Sequence, residues 1–285
     1  MRFPLLALAA LSTATPALAA PAHIATPAAP WEASSEGGVC RVQRSFEAGG
    51  KPHLIILEQN APGPAVGIAL AGPSLGDLRS DSPLRVSFAA DHGGFEKKAR
   101  IEPNREYGNV AILQGVWLDT NKPDPTAGSG RIDTATAEGV EQITVSQGGD
   151  AVTFATGSLA DAARDLNDCT AQIMRGWGLD PAVQYALSQA VTADEAKFEY
   201  PRIAARNLRS GPVEAVALVD AAGKATDCQI IISSGHADID AATCAAMTKA
   251  RYNPARDAAG APVASFWKAR VSYAATAYEA QRGTR

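Results

Sequence analysis

The four cysteines are the residues whose type could support covalent chemistry, namely disulfide formation. They are Cys40, Cys169, Cys228 and Cys244, and no two of them form a CxxC pair. The four histidines are scattered, whereas metal sites usually contain closely spaced ligands, so we expect no metal and no cofactor. Four cysteines allow three pairings. We favour Cys40–Cys169 and Cys228–Cys244, because each bridge then lies within one domain; the alternative is four buried thiols.

Candidates for nucleophilic or acid–base catalysis are weaker. Ser234 lies in Ile-Ser-Ser-Gly-His, which lacks the Gly-x-Ser-x-Gly turn of a hydrolase and indicates a strand-to-helix turn instead. Asp91 and His92 could form an acid–base pair on a loop, but a solvated turn explains them better. We therefore expect no catalytic residue. An enzyme, such as a cell-envelope hydrolase with its site in residues 31–190, is the least favoured hypothesis.

The composition is typical of a globular chain without a basic face. The chain has 285 residues, of which 46% are hydrophobic and 20% charged, enough for one large or two ordinary domains. The net charge of −4 argues against nucleic acid as a partner, because phosphate binding needs clustered Lys and Arg.

Residues 1–20 have the layout of a secretory signal peptide. Arg2 provides the positive charge, residues 5–11 are apolar, and residues 17–19 form a small-residue cleavage pattern. The apolar stretch is shorter than the roughly 20 residues that span a bilayer, so an uncleaved inner-membrane anchor is disfavoured. We expect a soluble periplasmic protein, in a compartment where disulfides persist.

The elements that must hold these residues fall into two domains of an α+β protein. After a flexible lead-in over residues 21–30, residues 31–190 show short apolar segments separated by Gly, Pro and Asn clusters, which predicts a mainly antiparallel β domain. Two short strands around Gly148-Gly149 predict a hairpin. The polar stretch 119–141 indicates an exposed loop.

Helices are expected at the end of the first domain. Ser158 is a good N-cap for a helix that would carry Cys169, so a bridge to Cys40 would pin this helix to the first strand. Asp180-Pro181 predicts a second, short helix, because Asp at the N-cap and Pro at the first helical position are favoured. Residues 191–199 would link the domains.

Residues 200–275 predict a small α/β domain, followed by a tail over 276–285. Pro201 can open a helix, Val213 to Val219 alternate as in a half-buried strand, and Gly223 suits a hairpin turn. A further strand, a helix and a last strand follow. The predicted fold of this domain is a three-stranded antiparallel sheet with two helices.

The order of short motifs in this region resembles the C-terminal domain of the TonB family of energy transducers. The resemblance covers residues from about 196 to 275, and the N-terminal domain shows none. The matching segments are Tyr200-Pro201, Gly211-x-Val213, Val219-Asp220-x-x-Gly223-Lys224, Ser233-Ser234-Gly235, Ile239-Asp240, Arg251-Tyr252-x-Pro254-Ala255 and Gly260-x-Pro262-Val263.

The resemblance implies a binding module rather than an enzyme. Members of the family bind a short segment of an outer-membrane TonB-dependent transporter along one edge of the sheet, and the strand from Val263 to Tyr273 would be that edge. The implied partner is such a transporter or another envelope protein. Strand addition of this kind gains affinity from backbone hydrogen bonds and specificity from alternate side chains. The implied partner-binding residues are Tyr200, Pro201, Val263, Ser265, Trp267, Lys268 and Arg270.

Structural roles for the same residues stay open. Lys268 and Arg270 could simply protect an exposed edge from aggregation, Trp267 could belong to the core, and Tyr200 could anchor the first helix. The sequence also lacks the long Pro-rich spacer of a force-transmitting transducer and has a folded domain in its place. A second hypothesis is therefore a structural module that binds peptidoglycan or forms a homodimer, with the function in the N-terminal domain.

Overall fold

The computed structural model of the protein describes residues 23–88, 94–118, 130–194 and 196–274. The strands of the N-terminal domain are β1 (His23–Pro27), β2 (Glu32–Glu36), β3 (Val39–Ala48), β4 (Lys51–Gln59), β5 (Ala65–Gly72), β6 (Leu84–Ser87), β7 (Phe95–Lys97), β8 (Arg100–Asn104), β9 (Gly108–Trp117), β10 (Ile143–Gln147) and β11 (Asp150–Phe154). The helices are α1 (Thr134–Glu138), α2 (Ala160–Gly176), α3 (Pro181–Tyr185), α4 (Arg202–Arg206) and α5 (Ala237–Lys249). The later strands are β12 (Thr192–Ala193), β13 (Gly211–Val219), β14 (Ala225–Ile232), β15 (Tyr252–Asn253), β16 (Ala255–Arg256), β17 (Pro262–Val263) and β18 (Ser265–Tyr273).

The first eleven strands form one strongly bent sheet. Its order is β7-β6-β10-β11-β1-β3-β4-β5-β9-β8, and β2 adds to β3 beside β1. The end strands β7 and β8 are joined only by Lys98 and Ala99, so the chain itself keeps the two ends of the sheet close together. All neighbours are antiparallel except β1 and β11, which are parallel. The predicted hairpin around Gly148-Gly149 is confirmed as β10 and β11.

Aromatic and branched side chains fill the core of this sheet. Phe46 and Phe154 are fully buried and meet edge to face, with 5.5 Å between the ring centroids. Side chains alternate along each strand, so β4 places Ile55 and Leu57 on the buried face. Burying a side chain of this size contributes about 1.5–3 kcal/mol.

A disulfide attaches the longest helix to this sheet. Cys40 on β3 and Cys169 on α2 are bonded, with an S–S distance of 2.02 Å and a Cα–Cα distance of 5.8 Å. The helix starts close to the predicted place, but its N-cap is Leu159 and not the predicted Ser158, whose Oγ accepts a hydrogen bond from the Ala160 N–H at 3.2 Å. Asp180 caps α3 in the predicted manner, accepting from the Ala182 N–H at 2.9 Å.

The C-terminal domain contains a three-stranded antiparallel sheet in the order β14-β13-β18, with α4 and α5. Its core joins alternate residues of β13, such as Val213 and Ala217, to Ile239 and Met247 of α5. The second disulfide, Cys228–Cys244, ties β14 to α5 with an S–S distance of 2.04 Å. Sheet and helix are therefore linked both by apolar contact and covalently.

The domains contact each other through the second face of the C-terminal sheet. On β13, every residue from Val213 to Ala217 is buried, which shows that both faces of this strand are covered. Trp177, at the end of α2, packs against Phe266 of β18 with 5.4 Å between ring centroids. Its Nε1–H donates to Gln229 Oε1 at 2.9 Å. The N-terminal domain thus supplies the layer that covers this face.

Two segments differ from the sequence prediction because they complete sheets. Residues 23–27 were expected in a flexible lead-in, but they form β1, whose Ala25 is fully buried between β11 and β3. In the expected linker 191–199, Val191 is buried in the C-terminal core and β12 pairs with β15. Ala- and Pro-rich composition concealed the first strand, and the short length of β12 concealed the second.

The predicted loop at 119–141 is also partly wrong. Its described portion contains α1, which Asp133 caps by accepting hydrogen bonds from two backbone N–H groups. Ile132 is buried, and its backbone N–H and C=O both bond to the side-chain amide of Asn167 on α2 at 2.9 Å. The predicted signal peptide, the Asp91-His92 pair and the tail over 276–285 lie outside the described residues.

Candidate protein-binding edge

Strand β18 is an edge of the C-terminal sheet. It pairs with β13 over its whole length, from Gly211 opposite Tyr273 to Val219 opposite Ser265. Within the described ranges no other strand pairs with it. Alternate N–H and C=O groups of an antiparallel edge strand point away from its neighbour, so β18 presents a row of backbone donors and acceptors on its outer side.

Val263, predicted to start this edge, lies outside it. Val263 belongs to β17, which pairs with Ala255 of β16 in a separate two-stranded sheet. Gly260, with a φ of +82°, lies in the turn between these two strands. The chain changes partner at Ala264, and this is why the strand predicted from 263 to 273 begins at Ser265.

Ser265 is buried and faces the N-terminal domain's last helix. Its hydroxyl donates to Gln184 Oε1 at 2.6 Å, and the Gln184 amide donates to the Ala264 carbonyl at 3.0 Å. Both side chains are about 2% exposed. The side chain of Ser265 is therefore not available to a partner; it fixes the start of β18 against α3.

Trp267 packs on the core side of the sheet, as the structural alternative proposed. Its ring stacks on Phe198 with 6.4 Å between centroids and meets Tyr252 edge-on at 5.6 Å. Burial raises the pKa of the Tyr252 hydroxyl to about 12, and this hydroxyl donates to the Met247 carbonyl at 2.7 Å. Trp267 is thus held inside an aromatic cluster rather than presented as a platform.

Lys268 and Arg270 lie on the opposite face, in a cleft between the domains. Arg270 donates to Glu214 Oε1 at 2.6 Å, and the amide of Asn60, from the N-terminal domain, lies 3.5 Å from Glu214 Oε2. Solvent reaches the Lys268 side chain, but the cleft walls surround it. This desolvation lowers the pKa of the Lys268 ammonium, while Glu214 acts to raise it and Arg270 to lower it.

Tyr200 and Pro201 border a groove on the other side of the sheet. The Tyr200 ring lies 5.8 Å from that of Tyr273, and its hydroxyl donates to the Arg209 carbonyl, so it does anchor the α4 region. Pro201 immediately precedes α4 and stands at its N-cap. Together with α5, the segment from Lys197 to Arg202 encloses a groove of about 540 Å³. The Tyr-Pro segment therefore has both a structural role and an accessible surface.

The serines before α5 bind a carboxylate of that helix. Ser234 Oγ donates to Asp240 Oδ1 at 2.7 Å, and the Ser234 N–H donates to the same oxygen at 2.9 Å. Burial is the largest single influence on the Asp240 carboxyl and acts to raise its pKa. The hydrogen bonds from Ser233 and Ser234 together outweigh it, so the pKa is lowered. Asp240 is therefore a constant acceptor that fixes the strand-to-helix turn.

The described residues also bear on a metal site and on a membrane-spanning helix. No group of three or more His, Cys, Asp or Glu side chains is arranged to hold a metal ion there. No helix in the same ranges has the length and apolar character needed to cross a bilayer.

Comparison with protein families agrees with the fold of the second domain. Residues 196–274 match the family described as Gram-negative bacterial TonB protein C-terminal. This region is a TonB C-terminal domain. Such domains are non-enzymatic protein-interaction domains of the bacterial envelope, where they take part in energy transduction for transport. Comparison of the whole chain with curated proteins gives no match.

The interdomain contacts of this TonB C-terminal domain were not foreseen. Gln184 bonds to Ser265 and Asn60 bonds to Glu214 across the boundary, and each looks like an ordinary polar residue in the sequence. Glu214 offers the one signal that was available: it is a carboxylate in the middle of a strand whose other residues are apolar. Such a residue needs a partner when buried, and a covered second sheet face would supply one.

Proposed function

We propose that the protein is a soluble periplasmic TonB-like protein that binds a short extended segment of an outer-membrane TonB-dependent transporter by strand addition to β18. One observation carries the proposal: β18 is nine residues long and pairs only with β13 within the described ranges. Long unpaired edges are hazardous because they template aggregation, so a retained one favours a partner that completes the sheet.

Not every group of β18 is free to contact the proposed partner. Ser265 and Trp267 are engaged inside the protein, and the side chains of Lys268 and Arg270 enter the interdomain cleft. We therefore infer that the backbone of the strand provides the affinity. Residues near its end, such as the exposed Ser272, would contact the partner's side chains.

Site-specific photo-crosslinking in cells tests this proposal. A photoreactive residue at Ser272 should capture an outer-membrane transporter, which mass spectrometry of the adduct would identify. The matched control is Thr226, an exposed position on β14 at the opposite edge of the same sheet, which should give no such adduct. Capture of a second copy of the chain from Ser272, or retention on purified peptidoglycan without a protein adduct, would replace this proposal by the structural hypothesis.

A further inference from the structure

The cleft between the two domains contains hydrogen-bonding groups that the fold leaves unused. Its volume is about 290 Å³, equivalent to about ten water molecules. The N-terminal domain contributes Glu58, Gln59 and Gln114, and the C-terminal domain contributes Glu214, Lys268 and Arg270. Polar groups from separate elements that converge on one concavity are the usual composition of a small-ligand site.

Three of these groups have no partner in the part of the chain that the structure describes. No acceptor lies within hydrogen-bonding distance of Lys268 Nζ, and the Gln114 amide makes no hydrogen bond there. Gln59 donates from Nε2 to two backbone carbonyls, but its Oε1 is buried without a donor, and the residue is only 3% exposed. Because Gln59 Oε1 is buried, the unpaired groups that a ligand in the cleft can reach are Lys268 Nζ and the Gln114 amide.

The charges in the cleft are divided between its two walls. Glu214 pairs directly with Arg270, whereas among the described residues no carboxylate lies within ion-pair distance of Lys268, on which Glu214 acts only from farther away. On the N-terminal wall, Glu58 contacts Arg41 through one oxygen at 3.4 Å and keeps its second oxygen for another donor. A ligand that satisfies both walls therefore needs a negative and a positive group.

Two polar side chains of the cleft lie directly over a buried glycine. A Cβ on Gly67 would lie 3.2 Å from Glu58 Cγ and 3.3 Å from Gln114 Nε2, both tighter than ordinary contact. The absence of a side chain at Gly67 therefore allows Glu58 and Gln114 to hold their places in the cleft.

We propose that this cleft binds a small zwitterion of the size of an amino acid or a dipeptide. Its carboxylate would lie on Lys268, with Arg270 nearby, and its ammonium on Glu58. This site is independent of the β18 edge, because it uses side chains on one face of the sheet and not the outer backbone of the strand.

Titration of the purified full chain, followed by NMR, tests the site. The probes are glycine, D-alanine, L-alanine and the alanine dipeptides of both hands at millimolar concentration, and the reference is the N-acetylated, amidated L-dipeptide, which has no charge. At least one zwitterion should shift resonances of Gln114 and Gly67, and the neutral reference should not. Absence of any shift with all zwitterions, or equal binding of the neutral reference, would overturn the proposal.

Two variants assign the binding to the cleft. Lys268→Met should weaken the zwitterion about tenfold or more, because a charge-assisted contact is lost. Gly67→Ala should weaken it by displacing the Glu58 and Gln114 side chains without removing any charge. The matched control is Lys224→Met, an exposed lysine in the turn between β13 and β14, which should bind as the wild type does. Unchanged affinity in both cleft variants would place the ligand elsewhere and refute the assignment.

Discussion

The two main sheets of the protein end in different ways. In the N-terminal sheet, the end strands β7 and β8 are short and are joined by two residues, so the chain brings the two ends together. In the C-terminal sheet, a strand of nine residues ends the order without a further partner in the described ranges. Unpaired edges invite association, so the contrast agrees with the proposed binding of a partner at β18.

The largest expected effect is the loss of unfolding free energy when one of the two disulfides that support these sheets is removed. Loop entropy predicts that Cys40→Ser/Cys169→Ser, which opens a loop of 129 residues, costs about 5 kcal/mol. The matched Cys228→Ser/Cys244→Ser pair opens a loop of 16 residues and should cost about 3 kcal/mol. Denaturant unfolding of both variants measures the two costs. A larger loss from the second pair would show that the C-terminal domain limits stability.

A smaller effect tests the packing inside the N-terminal sheet. A Cβ on Gly72, at the end of β5, would lie 1.9 Å from His53 Cδ2, and His53 is fully buried. Gly72→Ala should therefore destabilise the fold by about 2–3 kcal/mol through overpacking. Gly63→Ala is the control, since nothing lies within 4 Å of its added Cβ. If thermal unfolding shows the same stability for both variants, the sheet around His53 is less rigid than its contacts indicate.

The smallest effect concerns pH and again involves His53. Burial lowers its pKa, the hydrogen bond to the Lys51 carbonyl acts in the opposite direction, and His23 adds a lesser lowering. The folded state therefore keeps this imidazole neutral, with Nε2 as acceptor for the Ser74 N–H at 3.4 Å. The unfolded chain takes up the proton below its ordinary pKa of about 6.5. Stability is thus fully present above that pH and declines as the pH falls through and below it.

Unfolding measured at a series of pH values checks this expectation. The decline below about pH 6.5 should be smaller in His53→Gln than in the wild type. An acid-induced loss of equal size in the variant would assign the effect to other groups. The test separates the sheets as well, because His53 belongs only to the N-terminal one.

Local patterns predicted much of the fold. Apolar segments located the long strands, glycines located the hairpin turns, and Ser158 located the start of α2 to within two residues, because each of these signals lies within a few residues. The order of motifs likewise identified the TonB C-terminal domain. The two cysteine pairs in the structure are those that were favoured on the ground that each joins parts of one domain.

Contacts between residues far apart in the chain could not be predicted from the sequence, either in the fold or at the candidate edge. Ala25 becomes buried only because β11 and β3 lie on either side of β1, and nothing within residues 23–27 indicates those partners. The side chains of Ser265, Lys268 and Arg270 were expected to face a partner, but they contact or line the N-terminal domain. Their surroundings depend on how the two domains meet, and the separate sequences of the domains do not specify this.

The place of β1 in its sheet constrains the order in which the protein can be completed. Strand β1 precedes all the other strands in the chain, yet its Ala25 pairs with Phe154. One side of β1 therefore stays unpaired until β11, more than 120 residues later in the chain, has reached its place. Completion of this sheet is consequently a late event in folding, and a chain cut before β11 would leave β1 without one of its two partner strands.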